Sequence, residues 1–126
     1  MPRHILFVDD DADTCEMMRV FLSSLGYKVT TAGSYSLALN LIQNETFDLF
    51  MLDSWMETET AGIELCELIR SFDISVPVFF LTGAVRATDQ EAAFKAGATA
   101  FFKKPLDFEG LISAIELSSV ESLATA

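Results

Sequence analysis

Short apolar runs alternate with segments of helical period five times along the chain, and the connections between them are only a few residues long. No other feature restricts the fold as much. A strand followed by a helix returns to its sheet as a parallel neighbour through a right-handed crossover, so the pattern predicts an α/β fold: a five-stranded parallel sheet with helices on both faces. Strands read as residues 4–9, 27–32, 48–53, 76–82 and 99–103, and helices as 12–25, from Ser34 onward, 61–72, 87–96 and 107–122. The third strand, Asp48-Leu49-Phe50-Met51-Leu52-Asp53, lacks polar alternation between its bounding acids, as expected of a strand covered on both sides. Alternation alone leaves the strand order open.

The helical phase names a core. Cys15, Met18, Leu22 and Leu25 recur along one face of the first helix, and Ala38, Leu41 and Ile42 turn inward on the second. Ile63, Leu65, Cys66, Leu68 and Ile69 form a broad stripe on the third, and Phe108, Leu111, Ile112 and Ile115 line the fifth. Ser34 is a good N-cap, Gly26 and Gly97 stand where helices stop, and Pro77 opens a strand where a missing N–H costs least. A chain of 126 residues suits one domain, 1–126, with a Ser/Ala-rich end, 118–126, expected to fray.

Charge and cysteine content narrow the function. The 19 acids and 8 bases give a formal charge of -11, which repels phosphate backbones and anionic membranes, so direct nucleic-acid binding is not expected. Cys15 and Cys66 show no C-x-x-C spacing and read as buried thiols. No apolar run approaches the roughly 18 residues of a membrane span, and the expectation is a soluble, cytoplasmic protein.

Four strand ends carry the chemistry. Asp9-Asp10-Asp11 follows the first strand, Asp53 closes the third, Thr82-Gly83 the fourth and Lys104-Pro105 the fifth. A parallel sheet brings these ends to one edge, the edge where open α/β sheets bind ligands. Acids, a hydroxyl and a lysine converging there have the shape of a metal-assisted phosphoryl site. Asp11 and Asp13 read as helix-start charges, and His4, at the opposite end of its strand, as a surface histidine.

The order VDD, LD, LTG and KP, at these intervals over about the whole chain, closely resembles the receiver domain of two-component response regulators. That resemblance implies a flavodoxin-like sheet of order 2-1-3-4-5. It implies Asp53 as phosphoacceptor and Mg²⁺, with Mn²⁺ able to substitute, held by Asp10, Asp53, the Trp55 backbone carbonyl and, through water, Asp9. Lys104 would pair first with Asp53 and then with a phosphoryl oxygen, and its peptide bond to Pro105 would be cis. Thr82 would donate to the phosphoryl group and act as a switch with Phe101, which lacks the hydroxyl of the more usual Tyr and would work by packing alone. The donor would be a histidine kinase or histidine phosphotransfer protein. The fourth helix, fifth strand and fifth helix would form the output surface for an unknown downstream effector or output domain, or for a phosphorylation-dependent dimer.

The lifetime of an acyl phosphate depends on how water reaches it. Trp55 and Ala84, two residues after Asp53 and Thr82, offer no carboxylate or amide to orient a water, and the indole obstructs its path, while Glu57 can orient water or repel phosphoryl charge. The chain departs from the family's pattern after Met56, where a proline and an Asp-Gly pair give way to Glu57-Thr58-Glu59-Thr60-Ala61-Gly62, one residue longer before the glycine. Two other readings fit less well. A haloacid-dehalogenase type of phosphatase needs a second Asp at the position of Trp55, and a docking module that is never phosphorylated needs none of the site residues.

Overall fold

A computed structural model describes residues 3–54, 56–83 and 87–125. The elements are β1 (His4–Val8), α1 (Ala12–Ser24), β2 (Lys28–Ala32), α2 (Tyr35–Asn44), β3 (Leu49–Leu52), α3 (Ala61–Phe72), β4 (Val78–Thr82), α4 (Ala87–Ala96), β5 (Ala100–Lys103) and α5 (Phe108–Thr125). The five strands are parallel in the order β2-β1-β3-β4-β5, the order the family resemblance implies. β1 and β3 are therefore central neighbours, with Val8 beside Leu52.

The central strands are apolar throughout because each face meets a different layer. Leu6, Val8, Phe50, Leu52, Val78 and Phe80 pack with Ala38 and Ile42 of α2, Leu65, Cys66 and Ile69 of α3, and Ala93 of α4. The alternate residues Ile5, Phe7, Leu49, Met51, Phe79 and Leu81 pack with Cys15, Met18 and Leu22 of α1 and with Leu111 and Ile115 of α5. Period-two alternation is present, but between two cores rather than between core and water.

Several positions differ from the sequence reading. Leu25 is the C-cap of α1 and 42% exposed, because the helix stops before its phase brings that residue under the sheet. Phe108, the first residue of α5, is 38% exposed and meets Phe21 edge-on at 4.9 Å. His4 is half-buried: its ring bonds the Thr30 hydroxyl at 2.7 Å and the Thr46 carbonyl at 3.2 Å, and rests against Phe47. α5 carries helical backbone through Thr125, beyond the sequence-read end. Both cysteines are buried and free, and burial pushes the Cys66 thiol up from 9.0 to about 11.

Arg70 of α3 holds the far end of the molecule. Its guanidinium donates to the carbonyls of Gly97, Asp73 and Val76 and to the Thr99 hydroxyl, joining α3 to the turn between α4 and β5. Gly62 matters at the site end. A Cβ there would lie 2.4 Å from the Asp53 carbonyl oxygen and 2.7 Å from the Ser54 Cα, so only glycine lets α3 start this close to the end of β3. Gly26, by contrast, has φ +97 and open space around it. Gly62→Ala is expected to cost about 1–3 kcal/mol by steric overpacking, and Gly62→Asn more. At Gly26 the cost of Ala, about 1 kcal/mol, is conformational, so Asn should be the milder change there. Urea denaturation of the four variants checks both the magnitudes and the opposite order of Ala and Asn.

Candidate functional site

Main-chain bonds between neighbouring strands fix the acids before any side chain is considered. The Asp9 amide donates to the Ala32 carbonyl at 3.1 Å and the Asp53 amide to the Val8 carbonyl at 2.9 Å, so each acid continues the ladder one step past its strand. The Lys104 amide does the same with the Thr82 carbonyl at 2.9 Å. Asp9, Asp10 and Asp53 each offer a carboxylate oxygen, all within 4.8 Å of one another. Asp9 is 1% exposed, Asp53 8% and Thr82 1%, whereas Asp10 faces solvent. The Lys104–Pro105 peptide bond is cis.

The lysine pairs with Asp53, as expected, and also with a second acid. Its ammonium lies 2.6 Å from Asp9 Oδ2 and 3.8 Å from Asp53 Oδ2, so the closer partner is Asp9. Asp9 is the more deeply buried of the two carboxylates and has the greater need of a counter-charge. Its other oxygen accepts the Asp11 amide at 3.0 Å. Burial alone would lower the Lys104 pKa, but the Asp9 hydrogen bond and the charges of Asp53, Asp9 and Asp11 outweigh it and raise the value above the ordinary 10.5. Asp11 caps α1, accepting from the Thr14 hydroxyl and the Asp13 amide, and these bonds hold its carboxyl below the usual range.

Thr82 and Phe101 share one sheet face. Phe101 pairs with Phe80 across β4 and β5 and stacks on it at 6.5 Å, and Thr82 follows Phe80 by two residues. Phe101 is half-buried against the cluster that α3 and α4 cover. Glu57 is engaged elsewhere than at Asp53: both its carboxylate oxygens face the Tyr35 amide, at 3.1 and 3.2 Å. Trp55 and Ala84 lie outside the described residues. Sequence reasoning passed over Ser54, which is 4% exposed and whose hydroxyl is buried with no hydrogen-bond partner. A serine after an apolar strand carries no signal of that burial.

A parallel 2-1-3-4-5 sheet with three carboxylates and a lysine gathered at the C-terminal ends of its strands defines an α/β domain of the open, doubly covered class, with an acidic cluster at the edge where such sheets bind ligands. The response regulator receiver domain model matches residues 5–116, and the chain belongs to that family. It is 36% identical over 120 residues to the transcriptional regulatory protein ZraR of Klebsiella oxytoca, covering 95% of this chain and 26% of that protein. It is 36% identical over 113 residues to the response regulator MprA of a Mycobacterium species, covering 90% of this chain and 49% of MprA. The chain thus spans about a quarter to a half of the length of these relatives. Among solved structures, a CheY-like receiver domain from Methanospirillum hungatei superposes with a TM-score of 0.93 at 26% identity, covering 100% of both chains. Vibrio cholerae CheY4 gives 0.81 at 27% identity, covering 94% of this chain and 99% of that one.

Because the folded Lys104 pKa is raised, the stability it contributes is fully present below 10.5 and is lost as pH rises through the folded value. Lys104→Met should therefore unfold more easily at pH 7, by about 1–3 kcal/mol for a partly exposed pair serving a buried acid. Urea titrations in a metal chelator at a series of pH values should show the gap from wild type closing above pH 10.5.

Proposed function

We propose that this receiver domain accepts a phosphoryl group on Asp53 from the phosphohistidine of a histidine kinase or histidine phosphotransfer protein, in a Mg²⁺-dependent reaction. The observation that carries this reading is the placement of Asp53, nearly buried, with the oxygens of Asp9 and Asp10 within 4.8 Å and Lys104 Nζ at 3.8 Å. Clustered carboxylate oxygens are the hard donors Mg²⁺ takes, with Mn²⁺ a workable substitute. Asp10 and Asp53 would bind directly, Asp9 through water, and the carbonyl at position 55 would complete the protein's share. When bound, the ion neutralises the acids and draws charge from the phosphoryl oxygens.

The protein's own groups do the remainder. An Asp53 oxygen attacks phosphorus in line while the phosphorus–nitrogen bond to the donor imidazole breaks, and the departing ring keeps or takes up the proton that leaves it neutral. Lys104, already poised between Asp9 and Asp53, turns its ammonium to a phosphoryl oxygen, and the Thr82 hydroxyl donates to another. Drawing Thr82 toward the phosphoryl group frees space beside Phe80 on the shared sheet face, into which Phe101 repacks. α4, β5 and α5 then form the surface read by an output domain, an effector or a second phosphorylated copy.

The domain is a signalling module, and its acyl phosphate is hydrolysed slowly by its own site. The names of the relatives, a transcriptional regulator among them, make an attached output domain the natural reader of the switch. This part, at a charge of -11, would leave nucleic-acid contact to that domain, and the site of action would be the cytoplasm.

Incubation with acetyl phosphate and Mg²⁺, followed by intact mass, should show a gain of one phosphoryl group that Asp53→Asn abolishes. Retention of the gain in that variant would place the nucleophile elsewhere. The phosphorylated protein should be long-lived because Trp55 and Ala84 offer no carboxylate or amide to orient a water and the indole would obstruct its approach. Trp55→Asn is expected to speed dephosphorylation, and a rate no faster than wild type would remove indole shielding from the account.

A further inference from the structure

The loop between β3 and α3 departs most from the family's pattern, and it contains the residue whose partner the sequence did not suggest. Glu57 stands four residues after Asp53, and its oxygens meet the amide of Tyr35, the first residue of α2. That amide is one of the donors a helix start leaves without an intrahelical acceptor. The helix's own cap, Ser34, accepts from Leu37 at 3.2 Å, and the first turn carries no acid. α2 therefore takes its compensating negative charge from another loop.

Within that loop Thr58 and Thr60 hydrogen-bond to each other, and Thr60 reaches Glu64 of α3. Those bonds stay within the loop or reach the helix that follows it, whereas the hydrogen bonds of Glu57 tie the loop to α2, an element it does not itself join. Met56 and Tyr35, flanking the contact, pack on the same apolar cluster. At its base the loop is fixed by Gly62 against the Asp53 carbonyl. The chain leaving the acceptor is thereby held at two points, the start of α3 and the start of α2.

We propose that Glu57 is a positioning residue for phosphoryl acceptance at Asp53: its clip to the Tyr35 amide fixes the course of the chain that leaves the acceptor and forms one wall of the cation and phosphoryl site. The inference rests on Asp53 being the acceptor. It gives the loop's departure from the family's pattern a role, since an acid stands where a rigid proline is usual and supplies rigidity by a long-range bond instead.

The amide can be removed without touching Glu57. Ser34 has φ -154 and ψ 162, the extended backbone that a following proline requires, and proline is well suited to a first helical position. Tyr35→Pro deletes the donor, and Tyr35→Ala controls for the lost ring. The readouts are the Mg²⁺ midpoint, followed by fluorescence of the single tryptophan, and the rate of phosphorylation by acetyl phosphate. Glu57→Ala should raise the midpoint and slow the reaction about three- to ten-fold, the range of one charge-assisted hydrogen bond at an exposed site. Tyr35→Pro should reproduce this, Tyr35→Ala should not, and the Glu57→Ala, Tyr35→Pro double variant should be no worse than either single. A role in stability alone would lower the melting temperature and leave the Mg²⁺ midpoint and the rate at wild-type values; that result, or additive effects in the double variant, overturns the proposal. Should Tyr35→Pro fail to fold, Glu57→Ala against Glu57→Gln, which keeps an acceptor oxygen and is expected to fall between wild type and alanine, decides the matter. Wild type that takes up no phosphoryl group at Asp53 would refute the reading of the site, and the Mg²⁺ midpoints would still decide the role of Glu57.

Discussion

Three carboxylates with oxygens inside 4.8 Å of each other are held together by a structure that gives them little room to separate. At that spacing each pair of full charges repels by roughly 1–4 kcal/mol, taking the dielectric between that of water and that of a protein surface. The acids stay because main-chain bonds from Asp9 to Ala32 and from Asp53 to Val8 extend the central ladder past the strand ends. The apolar layers on both sides of β1 and β3 make that ladder expensive to distort. Lys104 offsets part of the repulsion, and its preference for Asp9 follows from which acid is more fully removed from water.

The strands were legible because a doubly covered strand has to be apolar along its whole length, and Leu49 to Leu52 could hardly be anything else. The convergence of Asp9, Asp53, Thr82 and Lys104 followed from parallel topology without any knowledge of strand order, which came from family resemblance. What the sequence did not show came from where a helix stops and from contacts between residues distant in sequence. Helical period placed Leu25 on a buried face without knowing where the helix would stop. The bonds from His4 to Thr30 and Thr46 cross between separate segments, and the partner of Glu57 is a main-chain amide 22 residues away. No local pattern encodes a bond to an amide, because every residue except proline has one.

α4 is attached unevenly. Ala93 is its buried residue among those described, and its C-terminal end is held by Arg70 on the Gly97 carbonyl and by the Cys66 thiol on the Ala96 carbonyl. Few buried contacts along a helix mean a low cost of displacing it. The switching surface proposed above would thus include a lightly packed helix, whose firm anchor lies at the end remote from the acids.

The contact of Gly62 with the Asp53 carbonyl also bears on how this chain tolerates its longer loop. With Gly62 N facing the Ser54 carbonyl at 3.4 Å, the two ends of the segment are brought together at its base. An added residue then enlarges a loop that is already closed, and each doubling of such a loop costs only about 0.6 kcal/mol in closure entropy. Extra length is taken up at the tip, among exposed Thr58, Glu59 and Thr60, and the nucleophile keeps its place. The glycine divides the loop into a base pinned against the acceptor strand and an exposed tip where added length meets only solvent.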